Sequence, residues 1–198
     1  MVIDEDILHS MGAVIKSYRP SENIFTEGDL PNYYYQIVKG EVKLNNYNEE
    51  GKEIIQGLMG KGQSIEESLL FINKVYPVNA VAIISCEILK LPKFTFLEIL
   101  KLYPEICFDL FESISQRLYF KLIMAQNLCT QNPAHKLISL MDYLKSSEEE
   151  QSPYSFQVPL TRQQMASITG LCVETVIRSL KKMEKDNRVQ IENRKILY

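Results

Sequence analysis

Glu174 and Arg178 stand four residues apart in LCVETVIRSLKKM, so on a helix they share one face. Two chemistries suit such a pair. An i, i+4 salt bridge on a solvated helix would contribute only ~0.3–0.5 kcal/mol. Alternatively the two side chains read base edges, the guanidinium donating two bonds to guanine and the carboxylate accepting from cytosine. Their neighbours favour the second reading. Ala166, Gly170 and Val176 are spaced four and six apart, as a helix-turn-helix demands. The small residue lets the helices cross closely, the glycine takes the turn, and the valine anchors the second helix. Thr161 suits the cap of the first helix, and Met165, Ile168, Leu171, Val176 and Leu180 form the buried side. Cys172, Val173, Glu174, Ile177, Arg178 and Lys181 are then left facing outward.

The charge distribution agrees with a localised nucleic-acid face. The 198 residues carry a net charge of −3. Residues 161–198 hold eight Lys and Arg against four acids, or +4, which leaves −7 for residues 1–160. Catalytic groupings are missing: there is no P-loop, paired-carboxylate motif or Ser/His/Asp set. His9 and His135 are the only histidines, so neither an enzyme nor a resident cofactor or metal is expected. Cys86, Cys107, Cys129 and Cys172 form no CxxC pair and are expected as reduced thiols.

With 45% hydrophobic and 24% charged residues, the chain can bury the core of one large domain or two small ones. No apolar run approaches the ~20 residues of a membrane span, and the start, MVIDEDILHS, is acidic where a signal peptide is basic. A cytoplasmic protein without a membrane partner is expected.

Up to about residue 90 the pattern is strand and turn. Stretches rich in β-branched and aromatic residues at 14–18, 24–25, 33–38, 42–47, 53–59, 78–84 and 87–91 alternate with turn residues, as in a small β-barrel. Short helices are expected at 4–11 and, through Phe94, Phe96, Leu97, Leu100 and Leu102, between Pro92 and Pro104. In the long helix that follows, Cys107, Phe111, Ile114, Leu118, Ala125 and Leu128 recur every 3.5 residues, interrupted only by Lys121. This period predicts a seam between two copies of the chain. A helix packed on its own barrel is the alternative, with Phe108, Leu110 and Leu122 off the seam available for it. A helix at 134–144, an exposed polar loop at 146–154 and a two-stranded wing in RVQIENRKILY complete the chain.

This order of parts resembles the Crp/Fnr family of bacterial transcription regulators, the cyclic AMP receptor protein and fumarate-nitrate regulator type. TRQ at 161–163 and ETV at 174–176, with Arg178 and Leu180-Lys181, resemble the family's recognition motif. Val173 stands where the receptor protein's motif has Arg, and Ile177 replaces a small or polar residue. The stretch 35–40 and the pair Gly60, Gly62 resemble the family's β-roll, and residues 62–71 its phosphate-binding cassette. Glu67 matches the acid that holds ribose in nucleotide-responsive members. Glu66, however, stands where they have Gly, and Tyr76-Pro77 where they have the Arg-Ser pair that holds the cyclic phosphate.

The resemblance implies an α+β fold in three parts: a cyclic nucleotide-binding-like β-roll at 1–104, a dimerisation helix at 105–131, and a winged helix-turn-helix at 132–198. It implies double-stranded DNA as partner, with Val173, Glu174, Ile177 and Arg178 at bases and Thr161, Arg162, Gln163, Cys172, Thr175 and Lys181 at phosphates. Cys172 could alternatively serve as a redox handle. A homodimer through Phe111, Ile114, Leu118 and Ala125 is expected, together with RNA polymerase as a partner at the 146–154 loop. Gly62, Glu66, Glu67, Ser68, Tyr76 and Val78 would line the pocket of an unidentified small-molecule effector, with cyclic AMP disfavoured. The competing reading is a signalling module of the same fold that acts through protein contacts without DNA.

Overall fold

The computed structural model describes residues 2–72 and 74–198, the side chain of Leu128 excepted. The chain forms two compact units, Met1–Arg117 and Leu118–Tyr198, and the division falls within its longest helix.

The first unit begins with α1 (Glu5–Ser10), capped by the Asp4 carboxylate, and continues through β1 (Val14–Tyr18), β2 (Asn23–Phe25), β3 (Tyr33–Lys39), β4 (Val42–Tyr47), β5 (Glu53–Met59), β6 (Asn79–Ala82) and β7 (Cys86–Pro92). The strands form two antiparallel sheets, ordered β1-β7-β3 and β2-β6-β4-β5. Gly40, between β3 and β4, has φ +104°, and a Cβ there would lie 2.5 Å from Cys86 Sγ and 2.7 Å from the Ser85 carbonyl oxygen. Only glycine fits that approach.

β3 is buried without alternation from Tyr34 to Ile37, the polar Gln36 included, because both of its faces are covered. Tyr35 and Ile37 point into the barrel among Phe25, Leu44, Tyr76, Val78 and Ile88. Tyr34 points outward and stacks on Phe96 of α2 (Lys93–Leu102), with ring centroids 4.6 Å apart. Leu89 and Leu91 of β7 join this outer core with Leu8 and Ile99.

The long helix α3 spans Ile106–Gln126 and ends in a 3₁₀ turn, Asn127–Cys129. Ile106 and Leu110 bury against the outer core. Of the three apolar residues off the expected seam, Leu110 alone packs inward. Phe108 is 78% exposed and Leu122 54%, on the same side as Phe111 and Leu118 at 65% and 56%. The exposed stripe thus steps through 108, 111, 115, 118, 122 and 125, with Cys107 and Ile114 half-buried on its flank. Leu128, the last expected seam position, lies outside the described side chains. No helix among the described residues is long and apolar enough to cross a membrane.

In the second unit, α4 (Pro133–Lys145) is capped by the Asn132 side chain, which accepts from the Ala134 N–H at 3.0 Å. Then come α5 (Arg162–Thr169), α6 (Val173–Lys185) and the hairpin β8 (Gln190–Glu192) and β9 (Lys195–Leu197). Leu137, Leu140, Met141, Met165, Val176 and Leu180 are buried in this unit. The stretch 156–158 runs beside β9, with the Val158 N–H donating to the Ile196 carbonyl at 2.9 Å and the Tyr198 N–H to the Phe156 carbonyl at 2.8 Å. Residues 146–153 are exposed or nearly so, yet they are tied down. Lys145, itself only 7% exposed, donates to the carbonyls of Ser152 at 2.6 Å and Tyr198 at 3.0 Å. A buried ammonium needs such acceptors, and the loop and terminal strand provide them.

Candidate nucleic-acid interface

α5 starts at a full capping box. The Gln164 N–H donates to Thr161 Oγ1 at 3.1 Å, and the Thr161 N–H donates to Gln164 Oε1 at 2.8 Å. The helix stops at Gly170, whose φ of +72° places it in the left-handed region that glycine takes at no steric cost. α6 then sets out from Cys172, whose carbonyl accepts from the Val176 N–H at 3.1 Å. Met165, Ala166, Val176 and Leu180 are buried as their spacing requires, whereas Ile168 and Leu171 are only half-buried. Met183 extends the buried side by a further turn.

Burial of Val176, Leu180 and Met183 turns Glu174, Ile177, Arg178 and Lys181 to solvent, and Val173 is half-buried beside them. Glu174, Ile177, Arg178 and Lys181 share one open trough with Lys182 and Lys185, two cations absent from the expected set. Glu174 and Arg178 form no ion pair among the described residues. Instead Arg178 Nη2 donates to Thr175 Oγ1 at 3.4 Å, a long bond that leaves most of the guanidinium free. The same hydroxyl lies 3.0 Å from Cys172 Sγ. Hydrogen bonds from the Thr175 hydroxyl and backbone N–H pull the Cys172 thiol below its ordinary range.

Of the expected phosphate-side residues, Thr161, Gln163, Cys172 and Lys181 are exposed, and Arg162 and Thr175 are half-buried. Arg162 Nη1 donates to the Arg194 carbonyl in the turn between β8 and β9.

In the first unit, the cassette residues lie at the barrel wall. Gly62 donates its N–H to the Ile37 carbonyl at 2.7 Å. Glu66 adopts φ +48°, the conformation a glycine would occupy without strain, and is buried. The Glu67 side chain has no exposed surface, and its Oε1 accepts from Arg117 Nη2 while Arg117 Nη1 donates to the Ser64 carbonyl at 3.0 Å. Ser68 is half-buried. Tyr76 stacks face to face on Phe25, centroids 3.6 Å apart and planes 9° off parallel, and Val78 is buried in the same core. Burial, with Tyr35 and then the Glu66 carboxylate as neighbours, pushes the Tyr76 hydroxyl far above its ordinary value. Arg117 was not among the residues expected at this site, since it stands 50 positions from Glu67 in the chain.

Comparison with known proteins supplies the same two parts. A cyclic nucleotide-binding domain model matches residues 15–103, and a Crp-like helix-turn-helix domain model matches residues 134–198. The chain belongs to the Crp/Fnr family of transcription regulators. This Crp/Fnr regulator is 26% identical over 185 residues to the cAMP-activated global transcriptional regulator CRP of Haemophilus influenzae, covering 92% of this chain and 83% of the relative. It is 26% identical over 193 residues to the global nitrogen regulator of Synechocystis, covering 94% and 84%. The solved structure of the c-di-GMP-responsive regulator CLP from Xanthomonas campestris superposes with a TM-score of 0.77 at 21% identity, covering 98% of this chain and 96% of that one. The architecture is therefore α+β: a cyclic nucleotide-binding β domain, the long helix α3, and a helix-turn-helix with a small hairpin wing. The protein is a DNA-binding transcription regulator, and regulators of this family are not enzymes.

Proposed function

We propose that this regulator binds a palindromic duplex site as a homodimer in the cytoplasm, with α6 in the major groove and Val173, Glu174, Ile177 and Arg178 toward the bases. One observation carries this reading. Glu174 and Arg178 are exposed on one face and not paired with each other, so their hydrogen-bonding groups stay available to base edges. Thr161, Gln163, Cys172, Thr175 and Lys181 border that face at the starts of α5 and α6 and along α6, where they hold phosphates; Arg162 lies beside them. The exposed stripe of α3, with Phe111, Leu118 and Ala125 central and Ile114 on its flank, joins the two copies, because four large apolar side chains over half exposed on one helix face call for a cover.

Cyclic AMP is not the effector in this reading. Tyr76, at the position of the phosphate-holding Arg in nucleotide-responsive members, is committed to a buried stack on Phe25, and Glu66 adds a negative charge beside it. The names of the relatives point to different nucleotides, cAMP for one and c-di-GMP for another, so they do not select an effector. An effector that did bind at Gly62, Glu66, Glu67, Ser68, Tyr76 and Val78 would act by shifting a pre-existing equilibrium. The hydrogen-bonded 146–154 loop is the surface offered to RNA polymerase.

Selection of bound fragments from random duplex DNA with the effector-free protein tests the reading. The expected result is a palindrome with half-sites about one helical turn apart. Recovery of no enriched sequence would favour a module acting through protein contacts.

A further inference from the structure

We infer that Arg162 acts on DNA through the wing: its guanidinium holds the Asn193–Arg194 turn so that Arg194, rather than Arg162, meets a backbone phosphate. The inference deepens the DNA-binding reading above and rests on it.

β8 and β9 pair through Glu192 and Lys195, leaving a two-residue loop. Asn193 has φ +47° and Arg194 φ +66°, both in the left-handed region, the pattern of a tight hairpin turn whose second position favours glycine. An arginine there carries a Cβ that disfavours the conformation. Its carbonyl accepts a charge-assisted bond from Arg162 Nη1, from the first turn of α5, 32 residues away in the chain. The two arginines are thus unequal. Arg162 is half-buried and engaged with backbone. Arg194 is exposed, and its guanidinium makes no hydrogen bond or ion pair among the described residues. At its base the wing is stitched to the segment entering α5 by the Val158–Ile196 bond, so Arg162 adds a second attachment at the tip. A glycine would make the turn unaided; the arginine keeps a cation there, and Arg162 is the positioning residue that holds it.

The test measures affinity of the full chain for a selected duplex across a range of salt, using wild type, Arg162→Ala, Arg194→Ala and the double variant. Arg194→Ala should reduce the salt slope by about 0.9 per subunit. Arg162→Ala should weaken binding on its own, yet add less than about twofold once Arg194 is alanine, since coupled residues are not additive. Without DNA, Arg162→Ala should speed amide exchange in residues 195–197 while protection in α6 is unchanged, which also shows that the unit stays folded. A double variant that loses the slopes of two independent phosphates, about 1.8 per subunit, overturns the inference, as does unchanged exchange in the wing. A wild-type chain that binds no duplex overturns the DNA reading itself, and the exchange measurement separates that failure from loss of the clamp.

Discussion

Arg117 of α3 donates to the fully buried carboxylate of Glu67 and, with its other terminal nitrogen, to the carbonyl of Ser64. The acid that the family resemblance assigns to ribose is therefore held by the helix that carries the exposed apolar stripe. Removing the guanidinium strands a buried carboxylate. Arg117→Ala should cost about 2–4 kcal/mol, somewhat below a fully buried pair because the Arg117 side chain is 21% exposed. Thermal or urea unfolding measures this, and replacing Glu67 by Leu in the same variant should recover part of the loss. An unchanged unfolding midpoint in Arg117→Ala would show that the pair is not holding Glu67.

Calorimetry should detect no micromolar binding of cyclic AMP. A phosphate brought against the Glu66 carboxylate, with Tyr76 where nucleotide-responsive members carry the phosphate-holding Arg, forfeits about two to three powers of ten in affinity. Micromolar binding would sink the exclusion of this nucleotide.

The α3 stripe makes a prediction about register. Leu118→Glu puts like charges on both sides of a twofold contact and should yield monomers with weakened DNA binding. In a background free of the native cysteines, Ser115→Cys should cross-link two copies on oxidation, and Ile114→Cys, on the half-buried flank, should do so far less. Efficient cross-linking at 114 and none at 115 would reverse the assigned phase.

At the DNA face, Arg178→Ala should cost ~1–3 kcal/mol and relax preference at a single base pair, expected to be a G·C pair. Lys181→Ala should instead weaken all sequences alike and lower the salt slope by about 0.9 per subunit, since a phosphate contact releases counterions without reading a base. Selected sequences that change with Lys181→Ala and not with Arg178→Ala would exchange the two roles.

Cys172 should alkylate at lower pH than a free cysteine, whose thiol titrates near ~8.5. Hydrogen bonds from Thr175 favour its thiolate, so the charged form appears earlier as pH rises. Thr175→Val removes the hydroxyl and should move the midpoint up. Mass spectrometry of the Cys172 peptide follows both, and a wild-type midpoint at or above that of free cysteine would contradict the effect of Thr175.

Local pattern was enough to determine much of this molecule. The strands at 14–18, 42–47 and 53–59 were legible because β-branched and aromatic stretches end at turn residues. The helix-turn-helix was legible because Ala166, Gly170 and Val176 meet within ten residues, where helix geometry alone sets their distances. The phase of α3 was not. Phe111, Leu118 and Ala125 belong to two overlapping repeats, one through Cys107 and Ile114 and the other through Phe108 and Leu122, and only burial against the outer core separates them. Tertiary packing likewise decided that Arg117 meets Glu67, that Arg162 meets the Arg194 carbonyl, and that Lys145 reaches the Tyr198 carbonyl across 50, 32 and 53 positions. Nothing in the composition or period of one segment specifies which distant segment will lie against it. A buried charge takes its partner from whatever the packing of apolar faces brings within reach.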